Sequence, residues 1–250
     1  MSADKTNTAH TGHKGWVKIT HWTGTLSFLL LLFTGAEILM VHPRLYWGNV
    51  GNDLTPALFE LPISRNYHHG GWTTAQPFLN TPNAAVSASR TYDIFNENGW
   101  GRSLHFLSAW MLVITGIIYL VMAFYSRHVQ RNLLPRKQEF SFKNIARDTA
   151  DHVRKTITFV KGPQYGLIQK ISYVTVLFVL APLMVLTGLT MSPAVTASCP
   201  FLLNMFSGMQ SARTIHFFAA VLLVIFLLIH VVMIIRAGFK KHMLAMTIEA

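Results

Sequence analysis

The chain has little cysteine and few charged residues, and each shortage excludes some classes of protein. Cys199 is the single cysteine among 250 residues, which excludes an intrachain disulfide, a cluster of thiolate metal ligands and covalent c-type haem attachment. Only 12% of the residues are charged, whereas 51% are hydrophobic. The sequence also has no glycine-rich phosphate loop and no Ser/His/Asp arrangement. An apolar, basic chain remains, and its 12 histidines carry most of the available chemistry.

Four long windows of the sequence are almost free of charge. They cover residues 19–41, 103–126, 171–191 and 214–235, and each is long enough for a tilted helix to cross about 30 Å of hydrocarbon. The sequence therefore predicts an all-α membrane protein, a four-transmembrane-helix bundle that forms a single membrane domain over 1–250. The first window is not expected to be a cleaved signal peptide, because its apolar run is too long and a polar segment precedes it.

Lys and Arg are distributed unevenly over the segments between these windows. Four crossings put both termini and the loop 127–170 on one side, and all but five of the 21 basic residues lie there. By the positive-inside rule this side is the cytoplasm of a bacterium, so the loop 42–102 is periplasmic and the bilayer is the inner membrane. The net charge of +11 follows from this topology and from anionic lipid, so it gives no reason to invoke nucleic acid.

The two long loops differ in composition. The periplasmic loop is rich in proline and aromatic residues, which favours an ordered cap or docking surface over a floppy linker. The cytoplasmic loop contains IARDTADHVRKTITFVK, in which Ile145, Val153, Ile157 and Val160 recur near helical spacing among basic residues. This pattern predicts an interfacial amphipathic helix, and a solvated basic connector is the alternative.

Four histidines lie in the apolar windows or at their ends. His216 and His230 are 14 residues apart in the fourth window, so on one helix they point within about 40° of each other and lie roughly 21 Å apart along the axis. His105 lies near the periplasmic end of the second window, and His21 near the cytoplasmic end of the first. Depth therefore pairs His105 with His216 and His21 with His230. Ionisable residues inside membrane helices are costly and usually functional.

Two imidazoles from two helices at one depth, repeated at a second depth, fit bis-histidine ligation of two haems b. Gly35, 14 residues after His21, and Gly116, 11 residues after His105, are expected to present bare backbone to the haem that their own helix does not ligate. Zinc needs four ligands at one point, whereas these histidines form two separated pairs. For any one histidine, a packed and hydrogen-bonded role is the alternative.

A cation stands three residues before three of these histidines. The motifs VKITHW, GRSLHF and ARTIHF contain Lys18, Arg102 and Arg213 at this position, and an aromatic residue directly follows each histidine. On a helix the cation lies about one turn from the imidazole and on the same side, where it can pair with a haem propionate. An interfacial, snorkelling side chain is the alternative for each.

The order of these motifs resembles a known family. The segments HW in the first window, RSLHF in the second, and RTIHF followed by IHV in the fourth are similar to the di-haem cytochrome b subunits of membrane-bound hydrogenases, formate dehydrogenases and thiosulfate reductases, the prokaryotic cytochrome b561-like group. In the periplasmic loop, VHPRLYWG, HHGGW and SRTYDIFNENGWGRSLHF resemble the branch that partners periplasmic molybdopterin oxidoreductases of the sulfite-oxidase type. The resemblance implies that His105 and His216 bind a periplasmic-side haem, and that His21 and His230 bind a cytoplasmic-side haem.

The same resemblance implies a membrane quinone site near the start of the third helix. The family commonly has an aromatic-Asn pair shortly before Gln-Lys there, and this chain reads QYGLIQK. Gly166 replaces the Asn, while Gln169 and Lys170 match. Gln169, Ser172 and Tyr173 are the polar groups expected to meet a quinone carbonyl, and interfacial anchoring is the alternative.

These features predict an electron-transfer subunit of a quinone-linked oxidoreductase complex rather than a stand-alone enzyme. A periplasmic redox partner exchanges electrons with the outer haem, and the inner haem connects it to quinone, in either direction. One alternative is a self-sufficient quinone-linked oxidoreductase that acts on a small molecule such as superoxide at the outer haem. Another is a transporter or channel that uses the histidines for protons. The size and aromatic content of the periplasmic loop favour the electron-transfer subunit, because a partner needs a docking surface.

Four further polar residues remain outside this scheme. Glu37, near the outer end of the first helix, is interpreted as a hydrogen-bonded helix-end carboxylate, with proton transfer or tuning of the outer haem as the alternative. His42, His68 and His69 match no strong metal-binding spacing and are expected to be exposed or to contact a partner.

Overall fold

The computed structural model describes residues 14–52, 55–63, 98–129, 134, 141 and 167–247, and within them nearly all regular structure is helical. The helices are α1 (Gly15–Val41), α2 (Asn98–Tyr125), α3 (Leu167–Thr175), α4 (Ala181–Thr190), α5 (Pro193–Ser198), α6 (Phe201–Met205) and α7 (Met209–Thr247). A short antiparallel ribbon is formed by β1 (Arg44–Leu45) and β2 (Phe59–Glu60). The sequence did not predict this ribbon, because two-residue strands leave no periodic pattern.

Four helical stretches are long and apolar enough to cross a membrane. They are Gly15–Val41, Gly99–Tyr125, Leu167–Thr190 and Met209–Lys240, so the predicted four-helix membrane architecture is confirmed. Each stretch begins four or five residues earlier than its apolar window, since helical hydrogen bonding continues through polar residues that hydropathy does not count. The protein is therefore a multi-pass membrane protein.

Burial in these helices is inverted relative to a water-soluble protein. Large apolar side chains such as Ile117, Val121, Leu228 and Ile229 are exposed, as expected where lipid covers the surface. The buried positions hold small and hydroxyl-bearing residues, among them Ser27, Thr34, Ser108, Ala123, Thr187, Thr190 and Ala219. Small residues let helices approach closely in a membrane, and hydroxyls there bond to backbone carbonyls. The contacts between these helices are thus made by small and hydroxyl-bearing side chains.

The third membrane stretch contains one wide turn. Between α3 and α4, Val176–Leu180 forms a π-helical turn in which the Ala181 amide donates to the carbonyl of Val176, five residues earlier. Pro182 follows directly. A proline lacks the amide N–H and its ring crowds the carbonyl four residues before it, which favours a wider turn at that point.

The fourth membrane stretch contains a glycine with non-helical backbone angles near its end. Gly238 has φ 106° and ψ 81° inside α7, a left-handed conformation that glycine adopts without steric cost. The helical turns beyond it reach back to α1, because the Trp22 indole N–H donates to the Met246 carbonyl at 3.0 Å.

Residues 42–52 are bonded to the first turn of α7. The Gly48 amide donates to Ser211 Oγ at 2.7 Å, the Gln210 amide donates to the Gly48 carbonyl at 2.9 Å, and Thr214 Oγ1 donates to the Tyr46 carbonyl at 2.7 Å. This part of the predicted periplasmic loop is therefore built onto a membrane helix. Most of the remainder, including His68 and His69, and the predicted amphipathic helix of the cytoplasmic loop lie outside the described residues.

The contacts divide the chain into two compact units. The first unit takes the described parts of Met1–Thr25, Ile114–Ser172 and Ile225–Ala250, and the second takes those of Leu26–Val113 and Tyr173–Val224. Each membrane-length stretch contributes one end to each unit. His21 and His230 belong to the first unit, and His105 and His216 belong to the second.

Candidate functional site

The second unit brings two predicted ligands together. The imidazole rings of His105 on α2 and His216 on α7 have centroids 6.4 Å apart, with their planes inclined at 58°. We call this pair, with the Thr and Gly residues that contact it, the paired-histidine site.

A threonine from a different helix holds each of these imidazoles. Thr34 Oγ1 on α1 lies 2.9 Å from His105 Nδ1, and Thr187 Oγ1 on α4 lies 2.9 Å from His216 Nδ1. Both threonine side chains are completely buried. The site is therefore assembled from four different helices.

Each of these threonine hydroxyls also has a backbone carbonyl as an acceptor, and this contact lets a tautomer be assigned to both histidines. Thr34 Oγ1 donates to the Leu30 carbonyl at 2.8 Å, and Thr187 Oγ1 donates to the Leu183 carbonyl at 2.7 Å. A hydroxyl has one hydrogen to donate, so with that hydrogen on the carbonyl we assign each oxygen as the acceptor of an imidazole Nδ1–H. Each Nε2 then carries a lone pair, which is the form of histidine that binds a metal.

A glycine follows each threonine and adjoins the same imidazole. A Cβ built on Gly35 would lie 3.6 Å from His105 Cε1, and one built on Gly188 would lie 3.7 Å from His216 Cε1. Bare backbone therefore passes beside the edge of each ring that bears the free nitrogen. Gly35 was predicted to present bare backbone to a haem, whereas no role was predicted for Gly188.

The geometry of this site fits a metal held between two imidazoles. An imidazole nitrogen binds a first-row transition metal at about 2 Å and the ring centre lies about 1 Å further out, so two rings on opposite sides of one ion have centres roughly 6 Å apart. The separation of the His105 and His216 rings is 6.4 Å. No group of three or more His, Cys, Asp or Glu side chains that could hold an ion occurs in the part of the chain that the structure describes. Two protein nitrogens suffice for haem iron, because the porphyrin supplies the remaining ligands.

The predicted propionate cations have distinct surroundings. Arg213, three residues before His216, donates from its guanidinium to the backbone carbonyl of His42. This contact fixes the end of α1 to α7, and the guanidinium carries further N–H donors. Arg102 is exposed, and Lys18 is half-buried in the first unit. Pairing of these cations with haem propionates stays a prediction.

The predicted ligands of the first unit have aromatic neighbours. The His21 ring meets Trp22 edge to face at 5.3 Å, and the His230 ring is stacked on Phe226 at 5.8 Å with 20° between the planes. A Cβ built on Gly116 would meet no atom of the described residues within 4 Å, apart from its own helix backbone and chain neighbours. Ligation by His21 and His230 stays a prediction.

The predicted quinone-contacting residues lie at the start of the third membrane stretch. Gln169, Ser172 and Tyr173 are half-buried in α3, and Lys170 is only 7% exposed. This lysine belongs to the basic residues counted for the loop 127–170, and it is largely covered by protein. Gly166 lies outside the described residues.

Glu37 is completely buried against the first turn of α2. A Cβ on Gly101 would lie 2.1 Å from Glu37 Oε2, so only glycine leaves room for the carboxylate. The start of a helix presents unpaired amide groups and a positive dipole end, both of which favour a negative charge. The start of α2 is thus a favourable place for the carboxylate, and the hydrogen-bonded role interpreted for Glu37 stays a prediction.

Three residues of the paired-histidine site were missed by the sequence interpretation: Thr34, Thr187 and Gly188. Their common signal is a Thr-Gly dipeptide, which occurs in FTGAE of the first window and in LTGLT of the third. The dipeptide alone does not say that its hydroxyl faces a histidine on another helix.

The fold and this site define a membrane-spanning helical protein with paired imidazoles suited to haem. The family model of prokaryotic cytochrome b561 matches residues 12–248, and the chain belongs to this family. The family implies haem b, and the predicted resemblance is confirmed. The chain is 24% identical over 224 residues, which cover 89% of each chain, to the putative protein-methionine-sulfoxide reductase subunit YedZ1 of Azospira oryzae. No solved structure matches the chain.

Proposed function

We propose that this protein is a di-haem b-type cytochrome that passes electrons between a periplasmic redox partner and the membrane quinone pool. The observation that carries the proposal is the pair of imidazoles 6.4 Å apart in a chain of the cytochrome b561 family. His105 and His216 would hold one haem through their Nε2 atoms.

The second haem is assigned to His21 and His230. Both belong to the same compact unit, and His230 follows His216 by 14 residues, so α7 carries one ligand of each haem. The aromatic rings of Trp22 and Phe226 beside these histidines supply an apolar surround for a macrocycle. Gly116 on α2 gives it access to bare backbone.

The bound haem supplies a one-electron redox centre, and the protein controls its surroundings. Thr34 and Thr187 hold the Nδ1 hydrogens, and the glycines after them let the macrocycle approach the backbone. The four surrounding helices exclude water from the iron ligands. Arg102, Arg213 and Lys18 are the cations proposed to compensate the propionate charges.

The proposed partner is a periplasmic oxidoreductase subunit, of the molybdopterin-dependent type. The relative from Azospira oryzae is named as a subunit of a reductase that acts on methionine sulfoxide in proteins, which supports a subunit role for this chain. The segment 42–52 offers a rigid contact surface, because it is bonded to the helix end that carries His216. Trp47 and Val50 on this segment are 56% and 55% exposed.

In this arrangement both termini lie in the cytoplasm and the bilayer is the bacterial inner membrane. Gln169, Ser172 and Tyr173 in α3 are the proposed contacts for a quinone carbonyl. Electrons then enter on one side of the membrane and leave on the other, with quinone as the exchangeable substrate.

The test is a dithionite-reduced minus oxidised spectrum of the full chain, purified in detergent from cells with ample haem supply. Pyridine haemochrome analysis of the same sample gives the haem type and number. Two haems b per chain are expected. A colourless protein would overturn the proposal, and one haem per chain would remove the second site. Co-purification with a soluble periplasmic oxidoreductase distinguishes an electron-transfer subunit from a self-sufficient enzyme.

A further inference from the structure

We propose that Thr34 and Thr187 form a matched pair of positioning residues that set the tautomer, orientation and donor strength of both axial ligands of one haem. The reduction potential of that haem then depends on both hydroxyls. This inference rests on the proposed function, since it assumes that His105 and His216 bind iron.

The strongest support is that the same geometry occurs twice on unrelated helix pairs. The hydroxyl to Nδ1 distance is 2.9 Å in both, and the hydroxyl to carbonyl distances are 2.8 Å and 2.7 Å. The glycine Cβ positions lie 3.6 Å and 3.7 Å from the two Cε1 atoms. Beyond the dipeptide, FTGAE and LTGLT share no residue in register. The same threonine and glycine contacts thus occur in two different sequence segments, which indicates that the site requires them.

The second argument comes from burial and from the chemistry of the acceptor. Both hydroxyls are fully buried, so water does not replace them when they are removed. A hydrogen bond to the distal nitrogen of a metal-bound histidine fixes the ring and raises the basicity of the ligating nitrogen. A hydroxyl is a neutral acceptor, so each imidazole keeps its Nδ1 hydrogen and stays a neutral ligand. The hydroxyl contact is common to both ligands, whereas His216 has a further hydrogen bond with the Met184 backbone.

The sign of the effect on the haem follows from ligand basicity. A stronger nitrogen donor stabilises oxidised iron more than reduced iron, so loss of the Nδ1 hydrogen bond raises the reduction potential. Valine has the shape of threonine without the hydroxyl, and serine keeps the hydroxyl without the methyl group. These two substitutions separate the hydrogen bond from the packing.

The experiment uses the haem-loaded full chain and its variants Thr34→Val, Thr187→Val and the double variant. Redox titration of the visible spectrum and low-spin electron paramagnetic resonance are the readouts. We expect each single variant to raise the midpoint of the same haem, and the two shifts to add in the double variant. Haem affinity at this site is expected to fall about 10- to 100-fold, the usual effect of removing such a partner.

The matched control is Thr190→Val, on the same helix as Thr187. Thr190 is also completely buried, and its hydroxyl donates to the Leu186 carbonyl at 2.8 Å. This control should leave both haem midpoints and the resonance spectrum unchanged. The rescue variants Thr34→Ser and Thr187→Ser should restore the wild-type midpoint, and they decide the question if the valine variants do not retain haem.

Unchanged midpoints and spectra in both valine variants of a haem-loaded protein would overturn this inference alone. Shifts that fall on different haems, or serine variants that behave like valine, would also contradict it. A wild-type chain without haem would overturn the proposed function and this inference with it.

Discussion

The two units of the molecule surround their candidate ligands with different chemistry. In the second unit, His105 and His216 face each other and each nitrogen Nδ1 meets a buried threonine hydroxyl. In the first unit, the ring contacts of His21 and His230 are with Trp22 and Phe226. The contacts described for the two histidine pairs thus differ in kind, with a threonine hydroxyl in one unit and an aromatic ring in the other. The two proposed haems are therefore expected to differ in reduction potential.

The largest expected effect is removal of a ligand, which tests whether the two units hold separate haems. His105→Ala or His216→Ala should abolish one haem and leave the other, and His21→Ala or His230→Ala should do the reverse. The measurement is haem per chain with low-temperature spectra of the α band. His42→Ala is the control, since the side chain is exposed and the backbone carbonyl that accepts from Arg213 is retained. Loss of the same haem in His216→Ala and His230→Ala would disprove the pairing.

A smaller effect is expected from filling the bare backbone beside a ligand. Gly188→Leu puts a branched side chain next to His216 Cε1, where the Cβ alone would lie at 3.7 Å, so haem in the second unit should be partly lost. Gly116→Leu should affect only the haem of the first unit. Haem occupancy after gel filtration measures both.

The control for these leucine variants is Gly99→Leu, because Gly99 is exposed at the start of α2, whereas Gly116 is half-buried. If Gly188→Leu and Gly116→Leu depleted the same haem, the division of the chain into two sites would be wrong.

The smallest effect concerns the stability of the second unit. Gly101→Ala places a Cβ 2.1 Å from Glu37 Oε2, so the buried carboxylate must move. Overpacking of this kind costs about 1–3 kcal/mol. Thermal unfolding in detergent, followed by circular dichroism, should show the loss relative to Gly99→Ala. Equal melting temperatures would show that Glu37 is not confined by this glycine.

Most of the membrane architecture was predictable from sequence, because lipid requires long apolar helices and these are visible as uncharged windows. The candidate ligands were also visible, since histidines in such windows stand out. The threonine partners were not, because hydroxyls in membrane helices usually bond to their own backbone. Thr34 and Thr187 do this too, and the second bond to an imidazole depends on which helices are neighbours.

Three other structural features could not be predicted, because they leave only weak patterns in the amino-acid sequence. The ribbon of Arg44–Leu45 and Phe59–Glu60 is too short for alternation, and the burial of Lys170 depends on the packing around α3. Gly238 marks a helix break, but glycines such as Gly35 occur inside these helices without one. In each case the residue type determines its chemistry, and the residues packed around it determine its structural role.

The π-helical turn at Val176–Leu180 acts as a register shift within the third membrane stretch. It holds one residue more than an α-helical turn, and one residue corresponds to about 100° of rotation around the helix. Tyr173, before this turn, and Thr187, after it, therefore face directions that an uninterrupted α-helix would not give them. Deletion of one residue in this turn would rotate the part of the helix that follows it by this angle. The number of residues in the turn therefore determines the directions in which Tyr173 and Thr187 face.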